Sequence, residues 1–491
     1  MISRKLTTLL IMFLILLSAC SPAVQPTMIL PPQSEEDEDP EIPEITAFPT
    51  RPVYQPGELV AYEAQTGDTL FALAARFNTT GEEIREANAF IPPDATTMPP
   101  GMPMEIPIYP RALWGTPFQM LPDAVFINGP DVLSFDTQTF IEGQDGWLRN
   151  YQAWAFDGNR SSSDIIDYVA ISYSISPKLL LALLEYQGGG LSQALLDASN
   201  EREILGLSSD YWTGVYLQLS YAANILNDGY YRWREGDLLE FDIADGTLIR
   251  PDPWQNAATV SLQYFFSQVL STTEFHQAIG PDGFSKAYQQ YFGDPWTIAA
   301  HIPGSLTQPA MELPYEYLEN NKWAFTGGPH TGWGNMAPWA ALDFAPPSSV
   351  TGCMISTVPT TAVADGVVAR DGEGLLVLDL DGDGDERTGW VVIYLHIASE
   401  GRVPVGAQVV TGDPLGFPSC EGGSSTGTHI HLARKYNGEW MVADGVVPFV
   451  LSGWRAVSGD KPYAGFLVKG DNMVIANSNP DNLSIIPVND E

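Results

Sequence analysis

Four histidines and one aspartate in the last third of the chain have the chemistry of a catalytic metal site. Four of the chain's six histidines lie between residues 330 and 431. His429 and His431 are two residues apart, a spacing that places both side chains on one face of a β-strand. Imidazole nitrogens and carboxylate oxygens bind catalytic zinc, which keeps three protein ligands and one open position for water. The residues therefore point to metal-assisted hydrolysis.

Four short motifs carry these residues in order, namely Gly-Pro-His at 328–330, Ala-Leu-Asp-Phe-Ala at 341–345, Val-Val-Ile-Tyr-Leu-His-Ile at 391–397 and Thr-Gly-Thr-His-Ile-His-Leu at 426–432. Together they resemble the lysostaphin- and LytM-type zinc endopeptidases, over roughly residues 325–440. The resemblance implies that Zn²⁺ is bound by His330, Asp343 and His431. It also implies that His396 and His429 are a pair outside the ligand set. One of them would accept the proton of the attacking water, and both could donate hydrogen bonds to the oxyanion.

The spacing of the first two implied ligands departs from that family. The family usually places its Asp four residues after the first His, whereas His330 and Asp343 are thirteen residues apart. Glycines and a proline lie between them, so we expect a loop inserted between the two ligands. We also expect Gly427 to let the backbone approach closely before the histidine pair.

The start of the chain predicts export. Arg4 and Lys5 precede an apolar run that is too short to span a bilayer comfortably, and Leu17-Ser18-Ala19-Cys20 follows. This ending resembles the lipobox of bacterial lipoproteins. The resemblance implies a signal peptide over residues 1–20, a lipid on Cys20, and an extracytoplasmic protein anchored to the cell membrane and facing the cell wall.

Two further cysteines remain if Cys20 is lipidated. Cys353 and Cys420 would then be the only thiols, and in an oxidising compartment an even remainder suggests a disulfide. Residues 21–57 are rich in proline and contain an acidic run at 35–39, so we expect an extended tether.

Residues 58–110 have the pattern of a small βααβ module. A strand at 60–63 precedes Gly-Asp-Thr-Leu and an apolar helical run, and Thr80 followed by Glu83 predicts a capping box for a second helix. Asn88, a Pro-Pro-Gly turn and a last strand at 104–108 complete the pattern. The module resembles a LysM domain, which implies binding to the N-acetylglucosamine chains of peptidoglycan.

Residues 111–310 are predicted to be mostly helical, with apolar residues at three- and four-residue steps. The segment from Ser176 to Gly189 weakly resembles the catalytic helix of lysozyme-like lytic transglycosylases, in which a glutamate is the general acid. Glu185 would have that role here. A capping or solvent-facing glutamate is the alternative interpretation.

Composition excludes one class of partner. The formal net charge is −37, from 60 acidic and 23 basic residues. Nucleic-acid binding needs a basic footprint, so we expect none. An acidic hairpin at residues 379–386 is similar to a calcium loop, but Trp390 stands where an EF-hand has its last glutamate, and a plain turn is favoured.

The sequence therefore predicts a multidomain α+β protein. After the signal peptide and the tether come the LysM-like module, a lysozyme-like helical domain, and a β-rich peptidase domain with an antiparallel sheet and a C-terminal extension over residues 311–491. The predicted function is zinc-dependent cleavage of cell-wall peptide cross-links. The alternatives are a non-catalytic wall-binding scaffold that regulates another hydrolase, and a lytic transglycosylase that uses Glu185.

Overall fold

The computed structural model of the chain describes residues 47–93, 95, 97–197, 201–298, 306–316, 322–348 and 352–487. The predicted signal peptide, Cys20 and the tether up to residue 46 lie outside the described residues. Among the helices that the structure describes, none combines the length and apolar character needed to cross a bilayer.

The LysM-like module folds as predicted. Its elements are β1 (Glu58–Glu63), α1 (Leu70–Phe77), α2 (Gly81–Ala87) and β2 (Pro103–Ile108), and β1 pairs with β2 in antiparallel register. Thr80 and Glu83 form the expected capping box at the start of α2. Apolar residues at helical spacing, such as Leu73 and Phe77, are fully buried against the strands.

The central region is mostly helical, as predicted for residues 111–310. Its elements are α3 (Thr137–Glu142), β3 (Gln152–Ala155), β4 (Gly158–Ser161), α4 (Ser162–Tyr173), α5 (Pro177–Gly188), α6 (Gly214–Glu235), β5 (Phe241–Asp242), β6 (Leu248–Ile249), α7 (Ala257–Val269), α8 (Thr272–Ala278) and α9 (Phe284–Phe292). Pro177 occupies the first turn of α5, where its missing N–H costs no hydrogen bond.

An antiparallel sheet dominates the last third of the described chain. Its region contains β7 (Ala324–His330), β8 (Ala341–Ala345), β9 (Thr360–Thr361), β10 (Gly366–Gly372), β11 (Leu375–Asp379), β12 (Trp390–Leu395), β13 (Gln408–Val409), β14 (Pro414–Gly416), β15 (Ile430–Tyr436) and β16 (Glu439–Trp440). The main strand order is β13-β10-β11-β12-β15-β8-β7, with β16 paired to β15. A second sheet follows, built from β17 (Val450–Leu451), β18 (Trp454–Ser458), β19 (Gly465–Lys469) and β20 (Asn472–Ile475).

The two faces of the large sheet are buried against different parts of the chain. Val377, Ile393 and Ala433 belong to one core with the central helices. The alternate residues, such as Val392 and Leu432, belong to a core that includes the second sheet. Because side chains alternate along a strand, the sheet is covered on both faces.

Polar contacts join the LysM-like module, the central helical region and the sheet region. Arg234 at the end of α6 forms a largely buried ion pair with Glu439 of β16. Arg76 of the LysM-like module donates to the carbonyl of Trp233 at 2.9 Å. The described end of the predicted tether is also packed, because Arg51 pairs with Asp252 at 2.7 Å.

Candidate metal centre

Neighbouring strands bring the three implied ligands together. His431 of β15 lies directly opposite Asp343 of β8, and β8 in turn pairs with β7, whose last residue is His330. Ile430 and Leu432 are fully buried on the other side of β15, as the alternation predicted. The thirteen-residue spacing is thus spanned by two adjacent antiparallel strands and the loop at 331–340.

The three side chains converge on one point. His330 Nε2 and His431 Nδ1 are 3.0 Å apart. Asp343 Oδ1 lies 3.2 Å from His330 Nε2 and 3.4 Å from His431 Nδ1. All three residues are buried, with 1 to 8% of their surface exposed. Burying polar groups costs free energy unless hydrogen bonds, ion pairs or a bound metal compensate for the lost water.

Main-chain carbonyls fix the tautomer of both histidines. His330 Nδ1 contacts the carbonyl of Gly328 at 2.8 Å, and His431 Nε2 contacts that of Gly332 at 3.1 Å. A carbonyl only accepts, so each of these nitrogens carries the proton. The other nitrogen of each ring then turns a lone pair towards Asp343, as in a metal-binding imidazole held by its outer partner.

Asp343 Oδ1 is a buried carboxylate oxygen with no hydrogen-bond partner in the part of the chain that the structure describes. Buried polar atoms are nearly always satisfied, so an oxygen left open beside two imidazole lone pairs fits a cation. Gly327, opposite Asp343 in the register, makes the room: a Cβ there would lie 2.5 Å from Asp343 Oδ2. Two His nitrogens and one carboxylate oxygen match the donor set of a catalytic zinc.

His396 and His429 lie beside the three residues. Their ring centroids are 4.5 Å apart, and His429 Nε2 is 3.7 Å from Asp343 Oδ1. Their Nδ1 atoms contact the carbonyls of Glu421 at 3.0 Å and Gly427 at 2.7 Å. Both Nε2 atoms are therefore available as proton acceptors. Close backbone approach at Gly427 was the wrong expectation, because a Cβ there meets nothing within 4 Å; its carbonyl is what orients His429.

Burial and charge set the protonation of the cluster. Burial would raise the pKa of Asp343, but the charge of His330 holds that pKa well below its usual value. Burial alone would lower the pKa of His330, which the charge of Asp343 instead raises. Burial, together with His429 and His431, lowers the pKa of His396 to about 4. His396 is therefore neutral near pH 7 and able to accept a proton.

Cys353 and Cys420 form the expected disulfide. The segment that follows Cys353 is held beside the histidine pair, because the amide of Met354 donates to Thr428 Oγ1 at 3.0 Å. Met354 is exposed. The disulfide thus fixes an apolar segment at the rim of the cluster.

The inserted loop at residues 331–340 docks on the central helices. The amide of Asn335 donates to Asn224 Oδ1 at 3.0 Å, and a Cβ at Gly334 would collide with the same side chain. The loop also supplies the Gly332 carbonyl that orients His431. The helical region therefore supports the geometry of an implied ligand.

Tyr463 is a site residue that the sequence analysis missed. Its ring stacks on His330 with centroids 4.0 Å apart. Its backbone has a φ of 68°, unusual for a bulky side chain, and its carbonyl accepts from the amide of Gly328 at 2.9 Å. Tyr463 comes from the C-terminal extension, and no local motif marks it.

Glu185, the glutamate predicted as a general acid, has a local structural environment. Its carboxylate accepts from the amides of Leu191 and Ser192, from Ser192 Oγ and from Tyr291 Oη, at 2.7 to 3.1 Å. The carboxylate is thus occupied as a hydrogen-bond acceptor by groups of its own chain. The geometry agrees with the capping interpretation, and catalysis by Glu185 stays an untested prediction.

Comparison with known proteins gives two family matches. The model of the LysM domain matches residues 62–107, and that of the LasA N-terminal domain matches residues 119–306. The protease LasA of Pseudomonas aeruginosa is 25% identical over 345 residues, covering 66% of this chain and 75% of its own length. The chain is thus similar to the protease LasA and carries a match to the LysM domain. The resemblance to LytM-type enzymes with a LysM domain is thereby confirmed.

Solved structures are similar to smaller shares of the chain. The M23 metalloprotease pseudoalterin is 24% identical, with 35% of this chain and 96% of that chain covered and a TM-score of 0.28. The catalytic domain of lysostaphin from Staphylococcus simulans is 23% identical, with 27% and 96% covered and a TM-score of 0.20. The helical region, where a lysozyme-like domain was expected, is the part that matches the LasA N-terminal domain.

Proposed function

We propose that this protein is a zinc endopeptidase that cleaves the peptide cross-links of bacterial peptidoglycan. The observation that carries the proposal is the convergence of His330 Nε2, His431 Nδ1 and the unpaired Asp343 Oδ1 in a buried site. The similarity to the protease LasA supports peptide hydrolysis. The LysM match supports a peptidoglycan substrate.

His330, Asp343 and His431 would hold the ion. Zn²⁺ in such a set supplies Lewis acidity, which activates water and polarises a carbonyl. His396 accepts the proton of the attacking water at its neutral Nε2, since its pKa of about 4 keeps it unprotonated. His429, oriented by the Gly427 carbonyl, would take up a proton from solvent and then donate a hydrogen bond from Nε2 to the developing oxyanion.

The other parts of the chain would bring this site to its substrate. We propose that Cys20 is lipidated, that residues 21–57 begin as a tether, and that residues 58–110 bind N-acetylglucosamine chains. Tethering raises the local concentration of the peptidase domain, residues 311–491, at the wall. The protein would act outside the cytoplasm, and no nucleic acid is involved.

A non-catalytic scaffold is the rival function. A regulator of this kind need not keep the three ligands and the two proton-transfer histidines. Here all five side chains lie within one cluster, and a main-chain carbonyl fixes one ring nitrogen of each of the four histidines. The geometry thus favours an enzyme over a scaffold.

Chelation and metal replacement test the proposal. The purified protein should release soluble peptides from peptidoglycan, lose this activity in chelator, and regain it with stoichiometric Zn²⁺. Zinc-loaded protein that releases no new amino groups from any peptidoglycan chemotype would refute it.

A further inference from the structure

A cavity of about 480 Å³ lies at the junction of the LysM-like module and the helical region. One wall is a segment that we name the strap, residues 47–54, which crosses from the tether into the module. Trp114 and Trp254 form further walls, and Gln263 of α7 also lines the space. The volume falls within the range of small-molecule sites, roughly 300 to 1,000 Å³. It is separate from the metal centre, none of whose residues lines it.

Two polar groups of this cavity have no partner among the described residues. Gln263 is 3% exposed, yet its side-chain amide makes no hydrogen bond within the described chain. The indole N–H of Trp114, which is half-buried, likewise meets no acceptor there. A buried amide normally satisfies both its carbonyl and its NH₂, and leaving it unpaired costs free energy. Because the amide atoms of Gln263 are reached through the cavity, they are available to an amide-like partner.

Arg51 and Asp252, which both line the cavity, balance each other's charge. Arg51 of the strap pairs with Asp252 at 2.7 Å, and its guanidinium lies 3.6 Å from the ring of Trp254. Asp252 accepts a further hydrogen bond from the amide of Trp254 at 3.0 Å. Since neither charge is left over, the cavity favours a neutral ligand over an anion or a cation.

We propose that this cavity binds one N-acetylated sugar unit of a neutral glycan. An acetamido group offers one N–H and one carbonyl, which match the amide of Gln263 in a reciprocal pair of hydrogen bonds. The face of Trp114 suits the C–H face of a pyranose ring, and its N–H suits a hydroxyl. Ile108, Ile249 and Ile279 supply apolar surface for the acetyl methyl group.

The site would extend glycan contact beyond the LysM-like module onto the helical region. A sugar held between the strap and α7 would fix the module against the rest of the protein. This inference does not rest on metal binding or on peptide hydrolysis, because none of its residues belongs to the proposed zinc peptidase site.

Titration of the full chain with N,N′-diacetylchitobiose tests the proposal, with cellobiose as the matched disaccharide that lacks acetamido groups. Hydrogen–deuterium exchange should show protection of the strap and of α7 with the acetylated sugar alone. Gln263→Leu should abolish this protection and weaken binding there roughly tenfold or more without lowering the melting temperature, because it removes an unpaired polar group. Gln268→Leu, an exposed position on the same helix, should bind as the wild type does.

Three results would overturn the proposal. They are absence of protection at α7, equal protection by cellobiose, and full protection in Gln263→Leu. Glycan bound elsewhere on the LysM-like module would leave α7 unprotected and is distinguished in this way. If Gln263→Leu proves unstable, Trp114→Leu gives the second reading, and unchanged protection of α7 in that variant would also contradict the proposal.

Discussion

His330 Nε2 and His431 Nδ1 face each other across 3.0 Å, while each ring donates its other N–H to a main-chain carbonyl. Two lone pairs this close repel unless a cation or a proton lies between them. The backbone of the loop at 331–340 and of β7 thus holds the two rings in the orientation that a pair of metal ligands requires.

Metal content should follow this geometry. We expect about one zinc per wild-type protein, near-complete loss in His431→Ala, and retention in His396→Ala, because His396 lies outside the ligand set. Elemental analysis after gel filtration measures all three. Equal zinc in His431→Ala and wild type would contradict the assignment of ligands.

Local patterns in the sequence predicted much of this fold. The period of apolar residues predicted that residues 111–310 are mostly helical, and the capping box at Thr80 and Glu83 located the start of α2. The spacing of His429 and His431 predicted the buried face of β15. These features depend on residues within one or two turns or strands of each other, so a short window of sequence contains them.

Local patterns of this kind could not predict contacts between residues that are far apart in the sequence. Tyr463 reaches His330 from 133 positions away in the chain, and Gly327 matters only because β7 places it opposite Asp343. His396 leaves its strand with a φ of 70°, a conformation fixed by tertiary contacts. No propensity of these residues marks them in advance.

Tyr463 should act on the metal through His330. Removal of the ring in Tyr463→Ala frees His330 to rotate, and we expect zinc affinity to fall by roughly 10- to 100-fold, as for other groups that orient a ligand. Tyr463→Phe keeps the stack and is the matched control. Competition with a chelator of known affinity measures the difference. Wild-type affinity in Tyr463→Ala would show that the stack does not position the ligand.

The low pKa of His396 predicts a pH dependence of stability in the metal-free protein. Its pKa is about 4 in the folded chain, against 6.5 for an unperturbed histidine. Between these values the unfolded chain binds a proton that the folded chain does not, so the free energy of unfolding falls as pH drops from about 6.5 to 4. Relative to His396→Gln, the wild type should lose about 2 kcal/mol between pH 7 and 4.5. Urea unfolding at both pH values measures this loss. An equal change in the free energy of unfolding in the two proteins would argue against a buried neutral His396.

The Cys353–Cys420 disulfide should stabilise the sheet region. It joins residues 67 positions apart, and closing a loop of that length contributes about 4 kcal/mol in the chain-entropy model. Replacing both cysteines by serine should lower the melting temperature while zinc stays bound, since no proposed ligand lies in the segment at 352–355. Reductant should destabilise the wild type alone. Two free thiols in the untreated protein on peptide mapping would refute the bond.

Mass spectrometry of peptidoglycan fragments tests the central claim most directly. The zinc peptidase account predicts that wild type and Glu185→Gln release fragments with new amino and carboxyl ends at the cross-links. His429→Ala should cut roughly a hundredfold to a thousandfold more slowly, because it loses a hydrogen bond to the oxyanion, although it keeps its zinc. A wild type that releases only anhydro-sugar ends, with these ends lost in Glu185→Gln and unchanged in His429→Ala, would contradict the account and make the helical region the enzyme.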